Sequence, residues 1–327
     1  MHFADKPVKV ILADGSDFDW ERGSSGQSGQ MFWEYFRISG SNTYWLRMRD
    51  ALLRVDTDLL MLLDDEDSVV FSGITHAAEF LLRHHDYAAA GGIVLNALSV
   101  GRRIGLSITH NGSAYELSGD SYEDRLERLF LDRRSAHLNY QVYRTRNLRS
   151  FVNQIVKLPT DFALTHTVRA LPMFIAMSGK WKALDVPFLI RRQIHSGGKT
   201  YSHPSTPMSE ALCHELAVVV SNALSDLNSI TWKNPSQEQV DFLAQRLRIR
   251  YTQFPSKPFT RILRWRQLFA KSILFGLFDK SPQLYGLLRP RGLKTVAHCS
   301  HLTTSDPQEV FAELFAIEQL WTRGMNR

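Results

Sequence analysis

Four acidic residues in a row, Asp64, Asp65, Glu66 and Asp67, end the apolar run Leu59-Leu60-Met61-Leu62-Leu63 in the stretch LLMLLDDEDSVVF. Adjacent carboxylates repel one another, and burying one without a partner costs several kcal/mol or forces it to take up a proton. A positive group is therefore expected among them. Alternate carboxylates on an extended turn, such as Asp65 and Asp67, can point the same way, and hard oxygen donors of this kind suit Mg²⁺ or Mn²⁺. Magnesium usually takes only one or two protein carboxylates and completes its shell with water and phosphate, so the pattern predicts a phosphate-bearing ligand. The plainer alternative is a solvated acidic turn after a strand.

The elements that would position these acids follow from the apolar patterning. VKVILADGSD (8 to 17) and LLMLL (59 to 63) are short apolar runs stopping at polar residues, which predicts two buried strands. Between them, ERGSSGQSGQ predicts a flexible polar loop, and YWLRMRDALLRV places Trp45, Met48, Leu52 and Val55 at helical spacing. Strand, loop, helix, strand is a parallel crossover unit. Ligands of open α/β sheets bind beyond the carboxyl ends of the strands, so Asp14 and the acidic cluster are expected on one sheet edge. GITHAAEFLLRHH predicts a helix, YAAAGGIVLNAL a further strand, and Ser121 with Asp124 a capping box before another helix. From about residue 205 the pattern predicts helices only, opened by Ser209, by Ser236 with Gln239, and by Ser305 with Gln308. The fold class expected is α/β, a mostly parallel sheet flanked by helices, with a boundary in the loop at 195–208 between regions 1–205 and 206–327.

Composition narrows the function classes. The 327 residues are 44% hydrophobic, which suits a globular chain. Cys213 and Cys299 form no C-x-x-C pair and no disulfide framework, so a reducing cytoplasmic setting and core positions are expected. There is no apolar run of membrane-spanning length. Residues 258–294 hold eight Lys or Arg against one acid, Asp279, so this segment carries +7 of the formal net charge of +6 and the remainder −1. Basicity so local favours a partner surface over general affinity for nucleic acid. No G-x-x-x-x-G-K-[ST], G-x-G-x-x-G or G-x-S-x-G occurs, which removes sequence support for P-loop, dinucleotide-binding and serine-hydrolase readings. Cys213, His214, His298, Cys299 and His301 match no usual zinc spacing.

Taken together, VILADGSD, LLMLLDDEDSV, FLLRHHDYAAAGG, YQVYRTRNLRSF and AMSGKWKALDVPFLIRRQIH resemble, over about residues 8–197, the GT-A glycosyltransferases, in particular a bacterial family-2-like branch concerned with surface polysaccharides. The resemblance implies a GT-A-like (Rossmann-like) domain that moves a sugar from a nucleotide-sugar donor to a saccharide or lipid-linked acceptor. It implies Asp14 on the nucleoside, Asp65 on the diphosphate, and Asp65 and Asp67, as the D-x-D signature, on Mg²⁺ or Mn²⁺. Arg191 and Arg192 would clamp the diphosphate and His195 would add a metal ligand, as arginine forks and imidazoles can. In these enzymes a carboxylate in the segment corresponding to LPTDFALTHTVRALP deprotonates the acceptor. Here Thr165 and His166 stand where Glu is expected and Asp161 lies nearby, so Asp161 or His166 is the candidate base; a helix cap and an ordinary helix residue are their plainer roles.

These enzymes normally begin with an apolar strand and a Thr-Tyr-Asn-Arg-like turn that receives the base. This chain begins one element later, which leaves the base pocket in question. The rival readings are therefore a non-catalytic homologue that binds saccharide or a partner enzyme, and a nucleotidyltransferase, although no Gly-rich phosphate loop is present. In FTRILRWRQLFAKSILFGLFDK, Arg261, Arg264 and Lys271 line one helical face beside Ile262, Trp265, Phe269 and Ile273. That pattern suits either a helix packed on the domain or one lying on an anionic membrane, which would place the protein peripherally on the inner face.

Overall fold

The computed structural model describes residues 8–14, 25–28, 31–38, 44–64, 67–100, 103–110, 116–131, 140–158, 164–193, 209–227, 232–252, 293–294, 312–314 and 316–317. Its centre is β6 (Tyr87–Val100), whose small residues Ala88, Ala89, Ala90, Gly91 and Gly92 are all buried. Side chains this small let elements approach both faces of the strand. Along one edge β6 pairs in parallel with β9 (Lys180–Gln193), from Tyr87 opposite Lys180 to Leu98 opposite Gln193. Its other edge carries two shorter partners, both antiparallel: β8 (Val142–Arg144) at Ala89 and Ala90, and β7 (Arg103–His110) from Val94 onward. Beyond β8 lies β4 (Leu59–Met61), beyond β9 lies β5 (Ser68–Val69), and beyond β7 lies β10 (Leu293–Lys294), each antiparallel to its neighbour.

The α/β class, with helices flanking the sheet and helices following it, is the class expected. The strand directions are mixed: β6 and β9 are parallel, whereas the other pairings of this sheet are antiparallel. The reason is local. The segment after β6 folds straight back as β7, a hairpin that patterning alone did not distinguish from the alternation of strands and helices.

The expected crossover between the first two apolar runs is also corrected. β1 (Val8–Asp14) pairs in parallel with β3 (Met31–Arg37), and β2 (Ser25–Ser28) pairs antiparallel with β3, giving a separate three-stranded sheet. Part of the presumed flexible loop thus forms β2, and the next run, MFWEYFR, supplies β1 with a partner much nearer in sequence than β4. Lys9 ties the start of β1 to the approach of β4, its Nζ donating to the Arg54 carbonyl (2.7 Å) and to Asp56 (3.3 Å).

Helices cover both faces of the larger sheet. On one side α2 (Phe71–Arg83) buries Ala77 and Leu81 against Val69, Ala90, Val94, Val142, Phe188 and Leu189. On the other, α4 (Thr145–Ile155) and α5 (Leu164–Ser178) contribute Leu148, Phe151 and Phe174 to a core that also takes in Leu126 and Leu129 of α3 (Tyr122–Leu131). The later helices α6 (Glu210–Asp226) and α7 (Gln237–Thr252) add Leu216, Val220, Leu224, Leu243 and Leu247 to that same core. Ser150 Oγ of α4 donates to the Ala223 carbonyl (2.6 Å) and Gln154 to Asp226 (2.6 Å), so α4 and α6 are also joined by hydrogen bonds. Cys213, buried in α6, is a core residue, and burial pushes its thiol up from its usual range.

The caps predicted at Ser121, Ser209 and Ser236 are present. Ser121 Oγ accepts from Asp124 N (3.1 Å), Ser209 Oγ from Leu212 N (3.2 Å), and Ser236 and Gln239 bond reciprocally. Ser305 and Gln308 lie outside the described residues, as does the basic stretch 258–294 apart from Leu293–Lys294, which is strand rather than helix. The boundary loop 195–208 lies outside them too. Among the described residues no helix is long and apolar enough to cross a membrane.

Candidate functional site

The acidic turn sits where β4 leaves the sheet. Met61 is level with Val142 of β8, and the chain re-enters as β5 on the far side of β9, with Ser68 opposite Ile190. Asp64 and Asp67 therefore stand at the end of the sheet where β8 enters it. Two side chains from that edge meet them: Tyr140, which precedes β8, and Arg191, which follows Ile190 in β9. β4 is shorter than expected and only half-buried, and Leu63 is exposed, so the apolar run ends before the acids begin.

Tyr140 Oη donates to Asp64 Oδ2 at 2.5 Å. Burial, then the Asp64 charge and this hydrogen bond, push the phenol far above its ordinary value, so it remains a donor at every physiological pH. Arg191 Nε lies 3.4 Å from Asp67 Oδ2, and its guanidinium carbon stands 4.7 Å from the centre of the Tyr140 ring. The Asp67 side chain is 4% exposed and that of Arg191 36%. Asp67 N also donates to the Asp64 carbonyl (3.2 Å), drawing the two carboxylate-bearing residues together. The result is a chain of contacts, Asp64 to Tyr140 to Arg191 to Asp67, in which one acid is held by a neutral donor and the other by a cation.

The backbone around these groups is tightly fitted. A Cβ at Gly91 would stand 1.5 Å from Gln141 Oε1, the buried amide next to Tyr140 that accepts from Trp181 Nε1 (3.2 Å). A Cβ at Gly73 would stand 2.1 Å from the Pro187 carbonyl oxygen, so only glycine lets the first turn of α2 lie against β9. Val70 N donates to the Phe188 carbonyl (3.0 Å), closing the same junction. The acidic turn is thus followed by a rigid strand-to-helix corner.

Of the residues singled out from sequence, Asp67 and Arg191 are brought together. Arg192 follows Arg191 in β9, and His166 falls in the first turn of α5. Asp65, Asp161 and His195 lie outside the described residues. Asp14 is not on the edge expected for it: it ends β1 in the separate sheet, where Tyr35 Oη donates to its Oδ2 at 2.7 Å. Tyr140 was the participant that residue patterning missed. Its position two residues before the short run Val142-Tyr143 is the signal it offered.

A divalent cation can be tested against these residues through the chemistry of their donors. Asp64 and Asp67 present carboxylate oxygens, which suit a hard ion, and the two could supply the few protein ligands Mg²⁺ usually takes. Among the described residues no group of three or more His, Cys, Asp and Glu converges as a complete metal shell. The fit is therefore to an ion completed by water and phosphate. The arrangement as it stands offers a partly exposed guanidinium beside two carboxylates, a combination able to receive an anion and a cation together.

No family model matches the chain, and no curated protein matches it. Among solved structures the chain is similar to S. aureus TarS in the crystal structure of its residues 1–349, with a TM-score of 0.46 and 12% identity over 98% of this chain and 83% of that one. A second crystal structure of S. aureus TarS gives a TM-score of 0.45 and 13% identity over 78% of this chain and 39% of that one. At this identity and TM-score the likeness assigns no residue a role.

Proposed function

We propose that the protein is a GT-A-type glycosyltransferase that takes a nucleotide-sugar donor at the end of β4 and transfers the sugar to a saccharide or lipid-linked acceptor. The observation that carries this reading is the Asp67–Arg191 ion pair beside Tyr140 and Asp64, at the sheet edge where an α/β fold binds ligands. Asp67, with Asp64 and Asp65, would hold Mg²⁺ or Mn²⁺; a bound cation of this kind neutralises charge on a leaving diphosphate. Arg191, with Arg192 beside it in β9, orients phosphoryl oxygens through the planar guanidinium fork. Tyr140 keeps its proton and fixes the Asp64 carboxylate. Asp14 on the nucleoside, His195 as a further metal ligand, and Asp161 or His166 as the base that receives the acceptor proton complete the assignment.

In the same reading residues 1–205 form the catalytic region, and 206–327 a helical region whose basic part, 258–294, meets an anionic membrane surface from the cytoplasmic side. A thermal-shift panel of nucleotide sugars with and without Mn²⁺ tests the proposal, because a ligand that binds only the folded state raises its melting temperature. At least one nucleotide sugar is expected to stabilise the wild type by several degrees only when Mn²⁺ is present, and Asp67→Asn to lose that shift. A wild type indifferent to every combination would leave the non-catalytic, saccharide- or partner-binding homologue as the better account.

A further inference from the structure

We infer that Arg191 is an exchangeable counter-ion: without ligand it occupies the positive position at Asp67, and a divalent cation reaches Asp67 only as Arg191 passes to an incoming diphosphate. The inference rests on the nucleotide-sugar reading and adds to it an order of events. Its starting point is that the Asp67 side chain is 4% exposed. A carboxylate so buried is destabilised as an anion without a positive partner, because its charge has lost most of its hydration. Arg191 is a cation that the structure places beside this carboxylate when no metal is present.

The geometry of that contact suits a temporary partner. Arg191 faces Asp67 through Nε at 3.4 Å, a single long approach rather than the two short parallel bonds of a guanidinium fork. Among the described residues its other support is the Tyr140 ring, over which the guanidinium lies at 4.7 Å. Tyr140 is anchored independently through its hydroxyl on Asp64. If Asp67 is taken by a metal ion, Arg191 loses one long ion pair, keeps the aromatic face, and is free to engage phosphoryl oxygens with both arms of the fork. Side chain and metal ion compete for one carboxylate, so the anion that attracts Arg191 favours metal binding, and the metal favours the anion by the same factor.

The competition has a signature that a merely structural arginine lacks. Mn²⁺ binding is measured by isothermal titration calorimetry, alone and in the presence of pyrophosphate, for the wild type, Arg191→Gln and Arg191→Lys, with protein-free titrations to subtract the Mn²⁺–pyrophosphate complex. In Arg191→Gln the competitor is gone, so Mn²⁺ alone should bind roughly tenfold more tightly than to wild type, within the span usual for coupled sites, while pyrophosphate should no longer strengthen it. Its melting temperature in chelator should fall, and Mn²⁺ should restore part of the loss, because the metal then supplies the positive charge that the ion pair gave. Arg191→Lys keeps the charge without the fork. It should bind Mn²⁺ alone as the wild type does and lose most of the pyrophosphate effect, which keeps the test informative if Arg191→Gln folds poorly. Arg191→Gln that binds Mn²⁺ alone no more tightly than wild type would overturn the exchange while leaving the nucleotide-sugar reading in place. Wild type that binds Mn²⁺ neither alone nor with pyrophosphate would overturn both.

Discussion

At the scale of single residues, the acidic turn is held by two different chemistries. Tyr140 gives Asp64 a neutral hydrogen bond at 2.5 Å, and Arg191 gives Asp67 a charge. Replacing Tyr140 with Phe removes the first and keeps the aromatic surface under Arg191. Stability should fall by about 1 kcal/mol, the usual net worth of such a bond. Adding Asp64→Ala to Tyr140→Phe should cost less than Asp64→Ala alone, since each change removes the same contact; urea midpoints of the two single variants and the double variant measure this. Fully additive losses would show that the bond contributes nothing. Much of this was legible in the sequence. Four consecutive acids after an apolar run demand a positive neighbour on electrostatic grounds alone, and the arginines of LIRRQIH were singled out as anion ligands. That Arg191 itself is the neighbour of Asp67 was not legible, because the pairing of β5 with β9, which brings residues 68 and 190 together, leaves no periodic trace in a two-residue strand.

At the scale of elements, helix ends are satisfied by charged side chains from far along the chain. Arg125 donates to the Ala176 carbonyl (2.5 Å) and, at 3.5 Å, to that of Met177 in the last turn of α5. Arg144 donates to the carbonyl of Leu81 in the last turn of α2 (2.7 Å) and to those of His84 and Tyr87 beyond it (2.9 and 2.8 Å), and Arg149 donates to those of Leu52 and Val55 at the end of α1 (Tyr44–Leu53). Each places a cation on the negative end of a helix, where the final carbonyls lack partners. The opposite end of α2 receives Glu313, whose two carboxylate oxygens lie 3.1 and 3.3 Å from Ser72 N. Buried Glu313 thus clamps the helix that starts just after the acidic turn. Glu313→Ala should lower stability by roughly 2 kcal/mol and quicken amide exchange across residues 68–75, with a smaller effect in α6. Uniform exchange across the chain would argue against a local clamp. The serine caps of α3, α6 and α7 were readable because their partner is three residues away. Arg125, Arg144, Arg149 and Glu313 were not, since their partners are set by packing between elements and share no spacing.

At the scale of the whole molecule, one mixed sheet lies between α2 and a helical layer that includes α6 and α7, while β1, β2 and β3 form a smaller sheet of their own. The alternation of strands and helices gave the class, because small-residue and β-branched runs bounded by polar turns can hardly be anything else. Strand direction and partner choice escaped, since a hairpin such as β6–β7 and a crossover leave similar apolar runs. The division of Asp14 from the acidic turn follows from the same ambiguity. The central claim is that Asp67 becomes a metal ligand when a diphosphate is present. Anomalous diffraction at the manganese edge, from crystals grown with Mn²⁺ and a nucleoside diphosphate, tests it most directly. The account predicts a single strong peak within bonding distance of Asp67, with Arg191 turned from that carboxylate toward phosphoryl oxygens and still stacked on Tyr140. Arg191 still paired with Asp67, and the manganese bound elsewhere or not at all, would contradict it.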